Sequence, residues 1–291
     1  MTRRELLKSA SMLAAAPVPP PAAAQMARFR TAICAYSFRD ELKSGKLRYD
    51  DLVHMAVEQD IDGLDLTVYW FPDTTDSFLL PLRRLAFRNG VEIYSISVRT
   101  EMTRPTADDR MAEIHGIRKW VDVAARLGAG HIRVFGGAVP KAATEDQAGD
   151  WAAEVLKGAA DYAGRHGVIL GLENHGGITL RAERVIEIVR KVDSPWVGIN
   201  LDTGNFPEHP YRQIEMCLPY AVNAQFKTEM HYGGGQTEPS DWERIVKLFA
   251  AAGYKGYLAL EYEGKEPAPE AFPRWMARLT SLARKYNGSG G

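Results

Sequence analysis

Leu170-Gly171-Leu172-Glu173 reads as a short apolar strand that closes on a carboxylate. Three later stretches repeat the pattern: Ile199-Asn200-Leu201-Asp202, Asn223-Ala224-Gln225 and Leu258-Ala259-Leu260-Glu261. Their terminal oxygen-bearing residues lie 29, 23 and 36 positions apart, each close to one strand-loop-helix unit. A carboxylate at the end of an apolar strand is costly unless something binds it. Three such carboxylates and one amide oxygen brought side by side make a place for a divalent cation.

The same alternation extends in both directions and repeats eight times. Strands are expected over 33–38, 63–69, 92–98, 131–135, 169–173, 197–202, 222–227 and 257–261. Helical periodicity is expected over 51–59, 78–88, 108–127, 145–165, 180–192, 211–218, 241–252 and 269–286. Asn89-Gly90, Leu127-Gly128, His166-Gly167 and Ala252-Gly253 stop helices as glycine does, and Thr144 and Ser240-Asp241 suit N-caps. Eight strands alternating with eight helices imply a parallel sheet that closes on itself. The fold class is therefore α/β, a single (β/α)8 TIM barrel over residues 25–287, with no linker or composition shift to divide it. Gly288-Ser289-Gly290-Gly291 reads as a flexible tail.

Residues 1–24 are set apart from that fold. Thr2-Arg3-Arg4-Glu5-Leu6-Leu7-Lys8 resembles a twin-arginine export signal, followed by a weakly apolar stretch and Ala22-Ala23-Ala24 as a cleavage site. The route carries folded proteins, so a periplasmic or otherwise exported location is expected. Without Arg3, Arg4, Lys8 and Glu5, the 36 basic and 37 acidic residues become 33 and 36, a net charge of −3. A mildly acidic body without basic runs argues against nucleic acid as the partner. No apolar run approaches the ~20 residues of a membrane span. Cys34 and Cys217 are far apart in sequence and are expected as two free, buried thiols. A homo-oligomer is compatible with the sequence but not specified by it.

Strand periodicity assigns the faces. Gly171, Glu173 and His175 share one; so do Asn200 and Asp202; Asn223, Gln225 and Lys227; and Glu261 and Glu263. The aliphatic residues then face the helices and the polar ones the barrel axis, clustered at the C-terminal strand ends where barrel enzymes work. Glu173, Asp202 and Glu261 offer three carboxylates and Gln225 an amide oxygen. All-oxygen coordination favours Mn²⁺ or Mg²⁺ over zinc. Four protein ligands leave two positions on an octahedral ion for a carbonyl and a neighbouring hydroxyl of a substrate. The expected chemistry is a metal-stabilised enediolate, with Glu173 and Glu261 removing and returning a proton from opposite sides. The competing reading is a set of salt bridges with Lys227, Arg133 or Arg99.

Gly171-Leu172-Glu173-Asn174-His175-Gly176-Gly177, Asn200-Leu201-Asp202-Thr203-Gly204-Asn205, Leu260-Glu261-Tyr262-Glu263-Gly264 and Ala35-Tyr36-Ser37-Phe38 carry a family likeness. With them the chain resembles the xylose isomerase-like barrels, sugar phosphate isomerases and epimerases that include ketose 3-epimerases, inosose dehydratases and the endonuclease IV group. The resemblance spans residues 30–285. It implies that Glu173, Asp202, the residue at 225 and Glu261 bind one divalent ion, and that the two glutamates are the acid/base pair. The chain departs from the family pattern twice: Gln225 stands where histidine of a His-x-Lys arrangement is usual, and Asn205 where ketose epimerases tend to have histidine.

Further substrate-binding candidates are His175, Lys227, Arg99, Arg133, Asn205, His231, Glu263 and Trp70. Each has a structural alternative: His175 can satisfy a carboxylate, Lys227 can neutralise Glu261, Glu263 can pair with Lys227, and Trp70 with Phe71 can be plain packing. The glycine runs at 136–137 and 233–235 lack a phosphate-cradling pattern. The expected function is a divalent-metal-dependent sugar or keto-sugar isomerase or epimerase. A lyase or hydratase acting on an oxidised glycoside shares the same proton abstraction, and a non-catalytic periplasmic sugar-binding protein is the third possibility.

Overall fold

Eight parallel strands close into a barrel: Arg28–Cys34 (β1), Gly63–Thr67 (β2), Glu92–Ser97 (β3), His131–Phe135 (β4), Ile169–Glu173 (β5), Val197–Asp202 (β6), Ala221–Lys227 (β7) and Lys255–Glu261 (β10). Two further strands, Glu229–His231 (β8) and Thr237–Pro239 (β9), form an antiparallel hairpin over the end of β7. Helices Arg39–Ser44 (α1), Tyr49–Glu58 (α2), Asp76–Arg88 (α3), Ala107–Leu127 (α4), Glu145–Arg165 (α5), Ala182–Val192 (α6), Pro210–Cys217 (α7), Trp242–Ala251 (α8) and Ala268–Tyr286 (α9) pack outside. The structure, a computed structural model, describes residues 26–287. The expected export signal at 1–24 and the tail at 288–291 therefore lie outside the described residues.

The barrel closes where β1 pairs with both β10 and β2, with Ile33 opposite Leu260 on one side and Leu64 on the other. Leu170, Leu172, Ile199, Leu201, Leu258 and Leu260 point outward and are completely buried under the helices. Each contributes roughly 1.5–3 kcal/mol relative to an exposed position. Helix ends follow local chemistry. Thr144 caps α5 in a reciprocal box with Gln147, Asp241 caps α8 through the Arg244 amide, and Gly128 closes α4 in the left-handed region (φ 84°).

The interior is a separate, smaller layer. Ala32, Cys34, Tyr94, Tyr257 and Ala259 form its apolar part, with the two tyrosine rings stacked 3.7 Å apart. Above them runs a chain of hydrogen bonds in one direction. Tyr94 Oη donates to Asn223 Oδ1 (3.1 Å), Asn223 Nδ2 to Asn200 Oδ1 (2.8 Å), and Asn200 Nδ2 to Gln225 Oε1 (2.7 Å). Gln225 Nε2 then donates to Asp65 Oδ2 (3.0 Å). His131 fills the space over Gly171, where an added Cβ would collide with its Nε2. The split between apolar outside and polar inside is the one the strand alternation predicts.

The first strand lies earlier than expected. Residues 28–34 form it because their register against β10 runs from Arg28–Lys255 to Ile33–Leu260, and Ala35–Phe38 turns away as a 3₁₀ helix at the mouth. Likewise β2 stops at Thr67 and Val68–Trp70 is a 3₁₀ turn. The short helix α1 and the β8–β9 hairpin have no counterpart among the sequence expectations. Cys34 and Cys217 are both free and buried. No described helix is long and apolar enough to cross a membrane.

Candidate active site

The four oxygen-bearing residues come from consecutive positions in the barrel wall. Asp202 is in register with Gln225, Lys227 with Glu261, and Phe135 with Glu173. Asn174 staples the ends of β5 and β6: its amide donates to Asp202 O and its carbonyl accepts from the Asp202 amide, both at 2.9 Å. Gly204 lets the next turn pack against the end of β7 and the start of β8, since a Cβ there would lie 2.8 Å from Lys227 Cβ and 2.6 Å from Glu229 O. Between Glu173 and Glu261 opens a cavity of about 110 Å³, also lined by Tyr36, Tyr69, Arg133, Lys227 and Glu263.

Two cations are interleaved with the carboxylates. Arg133 Nε lies 2.8 Å from Glu173 Oε2, and the pair is almost completely buried. Lys227 Nζ lies 3.4 Å from Asp202 Oδ2 and 3.8 Å from Glu261 Oε1, and it bonds Glu263 Oε2. The salt-bridge reading of these acids is thus realised in part. It leaves charge over, because Glu173, Asp202, Glu261, Glu263 and Asp65 share two buried cations, with Arg39 acting on Glu263 from further out.

Burial pushes Glu173 up to about 8 against the pull of Arg133, with Asp202 adding to the rise. Burial also raises Asp202, although Lys227 opposes it, and raises Glu261 well above the ordinary carboxylate range. Burial pushes Glu263 the same way, but the Lys227 ammonium more than offsets this and holds it below its usual value. Lys227 stays protonated: the surrounding carboxylates outweigh the cost of its burial.

The donor set fits a hard divalent cation. Glu261 Oε2 is buried with neither a hydrogen bond nor an ion pair, while the buried Glu173 Oε2 and Asp202 Oδ2 are met only by the charges of Arg133 and Lys227. As they stand, with Arg133 and Lys227 between them, they form no ready-made cluster among the described residues. Gln225 is committed more deeply. Its oxygen already accepts from Asn200, leaving one sp² lone pair, and its nitrogen donates to Asp65.

The other candidates separate into groups. Arg133, Lys227, Glu263, Arg99 and His175 line the cavity. Asn205 Nδ2 donates to Glu173 Oε1 at 3.3 Å. His175 packs its ring against Phe135, 4.2 Å between centroids. Trp70 is set back: it stacks behind Tyr36 at 6.0 Å and lines a different depression with Leu42 and Phe78. His231 sits beyond Lys227, beside Glu263 in the hairpin. Tyr36, Tyr69 and Phe135 are cavity residues that the sequence reading did not assign. Tyr36 stood within a quoted motif, and Tyr69 beside Trp70, but nothing in the pattern showed that the turns after β1 and β2 would aim them inward.

Comparison with known proteins bears on this arrangement. A family model described as "Xylose isomerase-like TIM barrel" matches residues 53–282. No curated protein matches the sequence. Among solved structures, the chain is similar to D-psicose 3-epimerase with D-tagatose from Clostridium cellulolyticum H10, at TM-score 0.70 and 16% identity over 88% of this chain and 99% of that one. It is similar to a xylose isomerase-like TIM barrel protein from Mycobacterium smegmatis in complex with magnesium, at 0.66 and 16% identity over 88% and 97%. A probable 3-DHS dehydratase of petrobactin synthesis from Bacillus anthracis aligns at 0.65 and 18% identity over 86% and 98%. At these identities the likeness is one of fold.

Proposed function

The chain belongs to the xylose isomerase-like TIM barrel family, and on that premise we propose that it is an exported, divalent-metal-dependent isomerase or epimerase of a sugar or keto-sugar. The observation that carries this reading is the pair Glu173 and Glu261. Both are buried at strand ends with pKa values raised by that burial, both line the same cavity, and β6 and β7 stand between their strands.

Glu173, Asp202 and Glu261 would hold the cation, with Gln225 as the fourth ligand through its remaining lone pair. When bound, Mn²⁺ or Mg²⁺ supplies Lewis-acid polarisation of a substrate carbonyl and its neighbouring hydroxyl. One glutamate takes the proton beside that carbonyl and the other delivers one to the opposite face. Two carboxylates that reach the substrate from opposite sides suit this exchange, one accepting a proton while the other donates. Arg133 holds Glu173 in its acting orientation, and Lys227 donates to a substrate oxygen that gains negative charge. Asn205, one bond from Glu173, tunes its basicity. Tyr36 and Tyr69 exclude water from the reacting face.

The fold likeness to a probable dehydratase supports a second reading, in which the same proton abstraction is followed by loss of a β-leaving group. Incubation of keto-sugars in D₂O with Mn²⁺, followed by NMR, separates the two. Deuterium in a rearranged sugar supports the isomerase or epimerase, and an unsaturated product the lyase. No exchange across a broad panel counts against both enzymatic readings, and sugar processing unchanged by Glu173→Gln favours a sugar-binding protein.

A further inference from the structure

The small cavity does not end at the proposed acid/base pair. Arg99, Phe135 and His175 line it on one side and also line a second cavity of about 510 Å³. Ligand pockets span ~300–1,000 Å³; the space between the glutamates is well below that range and the adjoining one falls within it.

The walls of the larger cavity are the loops after β3, β4 and β5, and these are tied together. Met102 N donates to Gly136 O, Ala138 N to Glu101 Oε1 and Ile178 N to Gly137 O, each at 2.9 Å. Gly136 lies so close to the β5 loop that a Cβ would sit 2.6 Å from Ile178 Cγ2, and Gly137 has φ +106° with Glu101 against it. The cleft is therefore preformed. Its charged lining is balanced, Arg99 and Arg104 facing Glu101 and Glu113. Arg99 stands at the seam with its guanidinium 4.5 Å from the Tyr69 ring centroid.

We propose that this second cavity is a subsite for the glycosidic partner of the reacting sugar, so that the substrate is a glycoside whose second unit is an uncharged polyhydroxylated ring. The inference rests on the sugar reading of the neighbouring site. Hydroxyl groups both donate and accept, which matches a lining of guanidinium and carboxylate groups. A phosphate or carboxylate would meet Glu101 and Glu113 as well as the two arginines, so the balanced lining gives an anion no net attraction. Arg99, between the two cavities, is positioned at the linkage.

The test is calorimetric titration of the full chain with Mn²⁺ present, using D-fructose against turanose, palatinose and lactulose, and D-glucose against cellobiose. At least one disaccharide is expected to bind about tenfold more tightly than its monosaccharide. Ala138→Trp, placed on the wall of the larger cavity, is expected to bring that ratio close to one. No disaccharide advantage beyond about threefold, or a greater gain from glucose 6-phosphate than from any disaccharide, overturns the proposal. Proton exchange on the same sugars is scored in parallel. Exchange without a disaccharide advantage removes the subsite and leaves the proposed reaction standing, whereas an advantage in binding without exchange does the reverse.

Discussion

Replacing Arg133 with methionine probes the electrostatics of the site without knowledge of the substrate. The guanidinium donates to Val98 O (3.0 Å) and Tyr69 Oη (3.1 Å) and faces Glu173 at 2.8 Å. The sign follows from the raised pKa of Glu173. Its value of about 8 lies above that of an unfolded glutamate, so the native state holds a proton that the unfolded chain has lost. Stability is therefore lost as pH rises from ~4.5 toward that native value, at ~1.4 kcal/mol per pH unit. Arg133 pulls the value down, so in the methionine variant the loss must continue above pH 8. Near pH 6 the variant should lose ~1–3 kcal/mol, from its hydrogen bonds alone. At pH 9 the deficit should be larger by ~1.4 kcal/mol, one further pH unit of linkage. Urea unfolding in EDTA at the two pH values reads both numbers, and Arg133→Met with Glu173→Gln should lose the pH-dependent part. Equal deficits at pH 6 and pH 9 would refute the reasoning.

Other consequences can be measured in the same way. Gly171→Ala places a methyl group against His131 and 3.0 Å from Asn200 Cβ, and should cost ~1–3 kcal/mol in the urea midpoint. His131, pulled down to about 3 by burial and by Arg133, stays neutral in the fold while the unfolded histidine charges. It should steepen the loss of stability as pH falls from ~6.5 toward 3, and His131→Gln should flatten that acid limb. Mn²⁺ added after EDTA should raise Tm more at pH 8 than at pH 6, since the cation competes with protons for Glu173. Asp202→Asn with Glu261→Gln should abolish the increment, and an equal increment in that variant would exclude these ligands. Arg3→Lys with Arg4→Lys should leave the protein inside the cell, as fractionation and immunoblotting can show.

The barrel was legible because its signal is periodic: Leu170, Leu172, Ile199 and Leu201 alternate with Gly171, Glu173, Asn200 and Asp202, and the closed sheet keeps that alternation. The oxygen-bearing strand ends were legible for the same reason. The start of β1 was not, because Arg28–Cys34 gains its place from the register with β10, more than two hundred residues away. The cations were harder still. Lys227 was found by its two-residue step from Gln225, yet its reach to Asp202, Glu261 and Glu263 depends on how three strand ends converge. Tyr36 and Tyr69 reach the cavity through 3₁₀ turns that no periodic pattern announces.

The one-way hydrogen-bond chain across the barrel interior bears on how this protein can change. Every link runs from Tyr94 through Asn223, Asn200 and Gln225 to Asp65. No amide in it can flip without setting acceptor against acceptor at the next link. An imidazole at position 225 would offer a different spacing of donor and acceptor and leave Asn200 or Asp65 without its counterpart. A mutational path toward histidine there is therefore epistatic. It calls for a compensating change at 65 or 200, the two residues that Gln225 bonds.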